Sequence, residues 1–247
     1  MELKLENTLF CGQSFSWRKC EDNNFRAVLK NKLYCVNEHQ KEFDPFMNHY
    51  LDNDYDYDGT LKEISKIDPI LDAAIKECGE IHILNQDLWE TVIGFILSQN
   101  NNIKRIEGLY DSMSKTFGTK IEDGYYSFPR PDQLKNVSES DLRELKVGFR
   151  APYLLDAIKR ADDILSIKDL PDSAADKILQ ETKGIGPKVS ACIRLFGLHN
   201  MEVFPKDVWI KRVMSTWFPG KDENYFKPYQ GLSQQYLFLY ARTHGFE

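Results

Sequence analysis

The residues best suited to chemistry lie in two short stretches. The first, Glu181–Cys192, reads as the end of one helix, a tight glycine hairpin at Gly184 and Gly186, and a new helix opened by Pro187. Glycine just past one helix and proline in the first turn of the next match the preferences of helix ends. Such a hairpin turns the free N–H groups of Gly184, Gly186 and the new helix outward, where they hold a phosphate without side-chain charge. Lys188 falls in the first turn of that helix, where the positive end of the helix dipole disfavours an ammonium and favours the neutral, nucleophilic amine. The second stretch, Val203–Trp209, carries an apolar run into Pro205-Lys206-Asp207 and then the helical pattern Val208, Ile210, Val213, Met214. Asp207 is placed to cap that helix. A plain helix–turn–helix connection and a purely structural cap account for these stretches when each is taken alone.

The elements that must position these residues change character along the chain. From Leu9 to about Val36, the short runs Ser14–Trp17, Phe25–Leu29 and Lys32–Val36 are strand-like and separated by polar turns. From Leu61 onward the apolar period is helical, with runs over 87–97, 103–117, 139–145, 150–166, 174–182, 187–198, 207–217 and 229–243. These runs predict an α+β protein: a small N-terminal antiparallel sheet domain with flanking helices (1–80), packed on a helical bundle (81–247) that contains the helix–hairpin–helix.

The composition, 42% hydrophobic and 28% charged over 247 residues, is that of an ordinary globular chain. The five cysteines are odd in number and scattered, which excludes a zinc ribbon or a C-x-x-C redox motif and predicts reduced thiols. No run is long and apolar enough to predict a membrane span, and the N-terminus does not read as a secretion signal. The formal net charge of −6 runs against a polyanionic partner. Four acids, however, crowd one segment (Asp52, Asp54, Asp56, Asp58), and a backbone-amide grip needs no net positive charge.

Gly-Ile-Gly-Pro-Lys188-Val followed nineteen positions later by Asp207 in Pro-x-Asp-Val resembles the signature of helix–hairpin–helix DNA glycosylases. Cys11–Trp17, Ser98–Arg105 and Val147–Tyr153 are similar, in order, to segments of the eukaryotic-type 8-oxoguanine DNA glycosylases, and together the matches cover nearly the whole chain. The resemblance implies a bifunctional glycosylase and abasic-site lyase of base excision repair acting on duplex DNA. The lesion is flipped into a pocket, Lys188 attacks C1′ to give a Schiff base, Asp207 stabilises the developing sugar cation, and β-elimination follows.

By the same mapping, the Gly12 carbonyl accepts from N7–H of 8-oxoguanine, a donor that guanine lacks. Gln234 reads the Watson–Crick edge, and Phe238 and Cys192 sandwich the base. Asn100, Arg105 and Arg150 address the base left behind, expected to be cytosine, and Phe149 fills the vacated stack. Two departures are Trp209, where the animal enzymes have histidine, and Tyr240-Ala241, which replaces the stretch carrying their acidic residue.

No cofactor is required by this reading. The carbonyls of Thr182 and Ile185 are candidates for a structural monovalent or calcium ion. The absence of any cysteine after Cys192 excludes the iron–sulfur cluster of the endonuclease III branch, and Lys188 argues against an alkylated-purine glycosylase. A noncatalytic helix–hairpin–helix module is the alternative from a different class. A monomer is expected, because one asymmetric lesion needs no two-fold partner. The lack of a transit peptide or basic localisation tract points to a prokaryotic cytoplasm, with nucleoid association when bound.

Overall fold

The structure, a computed structural model, describes residues 2–246. A short helix α1 (Leu5–Phe10) precedes a three-stranded antiparallel sheet of β1 (Arg18–Lys19), β2 (Asn24–Leu29) and β3 (Lys32–Asn37), in that order. The β2–β3 connection is a two-residue turn in which Lys30 and Asn31 have φ of 47° and 61°. Both angles are left-handed, which matches the twist of a tight hairpin. Phe25, Ala27, Leu29 and Val36 from the sheet close over Leu5, Leu9, Trp17, Met47 and Tyr50 as one small apolar core. Tyr50 ends α2 (Pro45–Tyr50), and its hydroxyl accepts the Trp17 indole N–H at 3.0 Å.

Helices α3 (Tyr57–Ile67) and α4 (Pro69–Cys78), capped by Asp56 and Asp68, already belong to the second, larger core. The two apolar cores interleave along the chain: Leu51 lies in the smaller and Tyr57 in the larger, while Phe15 joins the larger and Leu84 returns to the smaller. The larger core is built around α5 (Leu88–Ser98), whose residues from Thr91 to Leu97 are all buried. A helix apolar on every side belongs at the centre of a bundle. Around it run α6 (Ile103–Phe117), the ribbon β4 (Lys120–Glu122) and β5 (Tyr125–Tyr126), α7 (Pro131–Leu134) and α8 (Glu139–Glu144). A 3-10 turn at Gly148–Arg150 leads into α9 (Ala151–Lys159), followed by α10 (Ala161–Ser166), α11 (Asp172–Glu181), α12 (Pro187–Gly197), α13 (Val208–Trp217) and α14 (Gln230–His244).

The last helix returns to the start of the chain. The Tyr236 hydroxyl donates to the Gly79 carbonyl at 2.8 Å and accepts from the Ile81 amide at 3.0 Å. The aspartate-rich segment is consumed locally: Asp52 meets His199 at 3.3 Å, Asp56 caps α3, and Asp58 pairs with Lys62 at 2.5 Å.

Two sequence expectations differ from the structure. Ser14–Trp17 is a bent connection: Gln13, just before it, is bound to His82 and Gln86, and Trp17 at its end bonds to Tyr50, with no neighbouring strand paired to it. The helix expected over 150–166 breaks at Arg160, which turns to meet Glu181. All five cysteines are free thiols, and among the described residues no helix is long and apolar enough to cross a membrane.

Candidate active site

Helices α11 and α12 flank a hairpin closed by the Ile185 amide donating to the Thr182 carbonyl at 3.0 Å. Gly184 has φ +84°, a conformation that glycine adopts without strain. The amides of Gly184, Gly186 and Lys188 have no acceptor among the described residues, which is the arrangement an incoming phosphate oxygen completes.

Lys188, half-buried, lies over the ring of Phe95 with its Nζ 5.7 Å from the centroid. Phe95 is itself held by stacking on Phe196 at 5.5 Å and by the edge of Phe15 at the same distance. One turn beyond Lys188, the buried Cys192 thiol is pushed above its usual range, first by desolvation and further by the Asp207 carboxylate. The charge of Lys188 acts in the opposite direction. Cys192 therefore sits under the field of both Lys188 and Asp207, as a neutral and polarizable surface rather than a thiolate.

Asp207 caps α13, its Oδ1 accepting the Ile210 amide at 2.8 Å. Oδ2 has no partner among the described residues, so half of the carboxylate remains available.

The remaining cradle comes from the two ends of the chain. Gly12 has φ +90°, and a Cβ there would stand 3.5 Å from both Ile103 Cδ1 and Phe238 Cε1, so its backbone faces the Phe238 ring directly. Its neighbours are anchored on both sides. The Cys11 carbonyl accepts from Gln235 Nε2 at 3.1 Å. The Gln13 side chain donates to the Thr8 and His82 carbonyls and accepts from the Leu84 amide, all within 2.9 Å. Gln234, one turn before Phe238, is buried with Oε1 unpartnered, a costly state that a donor from a ligand would relieve. Helix α14 meets α12 where Gly231 faces Leu195, since a Cβ on Gly231 would lie 2.6 Å from the leucine. Gln234 and Cys192 are each three residues from that contact.

The residues expected to face the opposite strand form a second group. Phe149 is 48% exposed, and its ring lies 4.4 Å from the Arg150 guanidinium. Arg150 is buried and donates from Nε to the Gln99 carbonyl at 2.9 Å, from Nη1 to Val147 at 3.1 Å and from Nη2 to Asn100 at 3.0 Å. Its guanidinium braces the loop after α5, where Asn100 has φ +48°. Arg105 is exposed, with one long contact of 3.4 Å to the Lys146 carbonyl; burial first, and the charge of Arg105 second, lower the affinity of Arg150 for its proton.

Sequence reasoning missed Gln13, Gln235 and Phe95. The first two carry no local signal, because Gln13 lies between Gly12 and Ser14 and Gln235 follows Ser233 and Gln234.

The Thr182 carbonyl already accepts one hydrogen bond, and the Thr182 hydroxyl is buried without a partner. Among the described residues no cluster of three or more His, Cys, Asp or Glu side chains is arranged to hold a metal ion.

Residues 1–92 match the family described as 8-oxoguanine DNA glycosylase, N-terminal domain, and residues 93–234 match the HhH-GPD superfamily of base excision DNA repair proteins. Among curated relatives, the N-glycosylase/DNA lyase of Saccharomyces cerevisiae is 32% identical over 86% of this chain and 67% of its own length. The chain spans 63 to 67% of the length of the first such relatives. Among solved structures, MBOgg1 in complex with a low affinity DNA ligand superposes with a TM-score of 0.92 at 31% identity, over 99% of this chain and 93% of that one. The Clostridium acetobutylicum 8-oxoguanine glycosylase/lyase, in complex with DNA containing cytosine opposite 8-oxoG, gives 0.87 at 32% identity, over 98% and 92%. The expected prokaryotic, cytoplasmic setting is corrected by these matches: relatives in yeast and Arabidopsis share the family. With both halves matched in order, this chain belongs to the HhH-GPD superfamily of base excision DNA repair proteins, in its 8-oxoguanine DNA glycosylase branch.

Proposed function

We propose that the protein is a bifunctional DNA glycosylase and abasic-site lyase that excises 8-oxo-7,8-dihydroguanine, paired with cytosine, from duplex DNA. The observation that carries this reading is a hairpin whose Gly184, Gly186 and Lys188 amides have no acceptor among the described residues, with Lys188 in the first turn of the helix it opens and the Asp207 Oδ2 left uncommitted by its cap. The hairpin amides of Gly184, Gly186 and Lys188 take the backbone phosphate, and the flipped lesion enters between Phe238 and Cys192. The Gly12 carbonyl accepts N7–H. Guanine has no proton there and would leave that acceptor unpaired at a cost of about 1–3 kcal/mol. The unpartnered Gln234 Oε1 takes a donor from the base edge.

The Lys188 amine gives its lone pair to C1′ as the bond from C1′ to N9 breaks; the departing base leaves with that bond's electron pair and takes up the proton that the newly alkylated nitrogen releases. Asp207 Oδ2 stabilises the positive charge that builds on the sugar. Loss of the ring-oxygen bond, with the electron pair going to O4′, leaves a protonated imine between Lys188 and C1′. Removal of a C2′ proton then expels the 3′-phosphate. Across the helix, Phe149 fills the gap while Asn100, Arg105 and Arg150 address the cytosine. For the hairpin, the hard carbonyl oxygens of Thr182 and Ile185, beside the orphaned Thr182 hydroxyl, suit a structural monovalent or calcium ion. We expect the protein to act as a monomer.

Borohydride trapping on a duplex with one 8-oxoguanine opposite cytosine tests the reading. Wild type should form a covalent adduct and K188Q none. Binding without base release or adduct by wild type would instead identify a noncatalytic helix–hairpin–helix module.

A further inference from the structure

We propose that Tyr153 is a positioning residue that holds the stack-filling Phe149 at a set distance from the Lys188 hairpin; this rests on the reading of Phe149 as the wedge. Helix α9 and its C-terminal cap present Tyr153, Asp156 and Arg160 at i, i+3 and i+7, a spacing that puts all three on one face. Each fastens a different point of the α11–α12 hairpin. Arg160 Nη2 donates to Glu181 Oε2 at 3.0 Å, and the Lys183 amide donates to Asp156 Oδ2 at 2.8 Å. The Tyr153 ring lies flat on Gly184, where a Cβ would stand 2.3 Å from two of its carbons. Gly184 must therefore be glycine for two reasons, its left-handed φ of +84° and the ring against its Cα.

Only Tyr153 also touches the wedge. Its ring meets Phe149 edge-to-face, with centroids 6.0 Å apart and planes at 78°. A continuous packed line thus runs from Phe149 through Tyr153 to Gly184, four residues before Lys188. When Phe149 enters the base stack, the restoring push of the duplex falls on the 148–150 turn, and the Tyr153 ring passes it to the hairpin that carries the nucleophile. Extrusion and attack are in this way kept in register. The Tyr153 hydroxyl makes no hydrogen bond among the described residues, so the ring alone carries the role.

The test measures single-turnover base release on two duplexes, both with 8-oxoguanine opposite cytosine. One is fully paired, and the other has a mismatch on each side of the lesion, which weakens the stack and lowers the work of flipping. On the paired duplex, Y153L should be slower than wild type on the order of tenfold to a hundredfold, as expected for misplaced reacting groups. On the mismatched duplex it should recover to within about threefold of wild type, because little wedging is needed. Y153F should match wild type on both, and F149A should behave as Y153L does. Near-wild-type release from the mismatched duplex also shows that the variant is folded; should Y153L fail to fold, Tyr153→Met repeats the test without a planar ring. Equal slowing on both duplexes would reduce Tyr153 to general packing, and no slowing on either would remove its role; each overturns the inference. F149A at the wild-type rate on both would sink the wedge reading and this inference with it, whereas relief for F149A but not for Y153L would sink the positioning role alone.

Discussion

Around Lys188 the groups are buried or half-buried and held by backbone geometry: Gly12 between two anchored residues, Cys192 inside α12, Gln234 inside α14. Around Phe149 the groups are either open to solvent, as Asn100, Arg105 and Phe149 itself are, or tied to loop carbonyls, as Arg150 is. On the proposed reading, the difference follows from what each region distinguishes. A lesion that differs from guanine by one carbonyl and one N–H is sorted among buried groups, where an unmatched polar atom has no water to turn to. The opposite base is approached from the surface, where exposed side chains rearrange cheaply.

The sharpest test of the lesion side separates the two duties of Asp207. Asp207→Asn keeps a capping oxygen for Ile210, so stability should hold within about 0.5 kcal/mol, while base release falls by on the order of a hundredfold to a thousandfold. Asp207→Ala should lose the same activity and about 1 kcal/mol of stability as well. Urea unfolding beside single-turnover kinetics reads both quantities, and an active Asp207→Asn variant would leave the carboxylate as a cap only.

On the opposite-strand side, the two arginines should behave differently. Arg150→Ala strips donors from the Val147, Gln99 and Asn100 carbonyls and should destabilise by about 2–3 kcal/mol. Arg105→Ala should leave stability nearly unchanged and relax discrimination among opposite bases by about tenfold, the value of one arginine fork. Equal stability losses in the two variants would erase the contrast between brace and reader.

A smaller effect is expected from Gln235→Leu, which removes the donor to the Cys11 carbonyl and loosens Gly12. Preference for 8-oxoguanine over guanine should drop about fivefold, the equivalent of one net hydrogen bond of about 1 kcal/mol. Competition binding with lesion and undamaged duplexes measures it, and an unchanged preference would show that Gly12 is held without α14.

The smallest effect lies away from both regions. Burial, reinforced by Asp87, pushes the Glu90 carboxyl up to about 7, while the Tyr110 hydroxyl donates to it at 2.7 Å. The folded protein thus keeps this proton to a higher pH than the unfolded chain. That contribution to stability is complete below the ordinary carboxylate range and is lost as pH rises through about 7. E90Q, neutral throughout, should gain melting temperature relative to wild type between about pH 5 and pH 8. A constant difference across that range would contradict the assignment.

Much of this was legible in the chain itself. The helix over Ile103–Phe117 has the bounds its apolar period predicts, and the capping aspartate at 207 and the hairpin glycine at 184 stand where local rules put them. These features depend on residues within a few positions of one another, so spacing reveals them. Other features could not be read that way. Ser14–Trp17 alternates like a strand yet bends after Gln13, which is tied to residues near 80, and the helix breaks at Arg160, whose side chain meets Glu181. Nor does spacing tell that Gln235 would clasp Cys11, 224 residues away, or that Arg150 would spend its donors on a neighbouring loop. By itself the sequence determined which groups are available for chemistry and how each helix begins, because short-range sterics and capping suffice for that. Which of those groups meet, and which donors remain free, only the tertiary structure decided, since burying a polar atom compels it to find its partner wherever the packed chain supplies one.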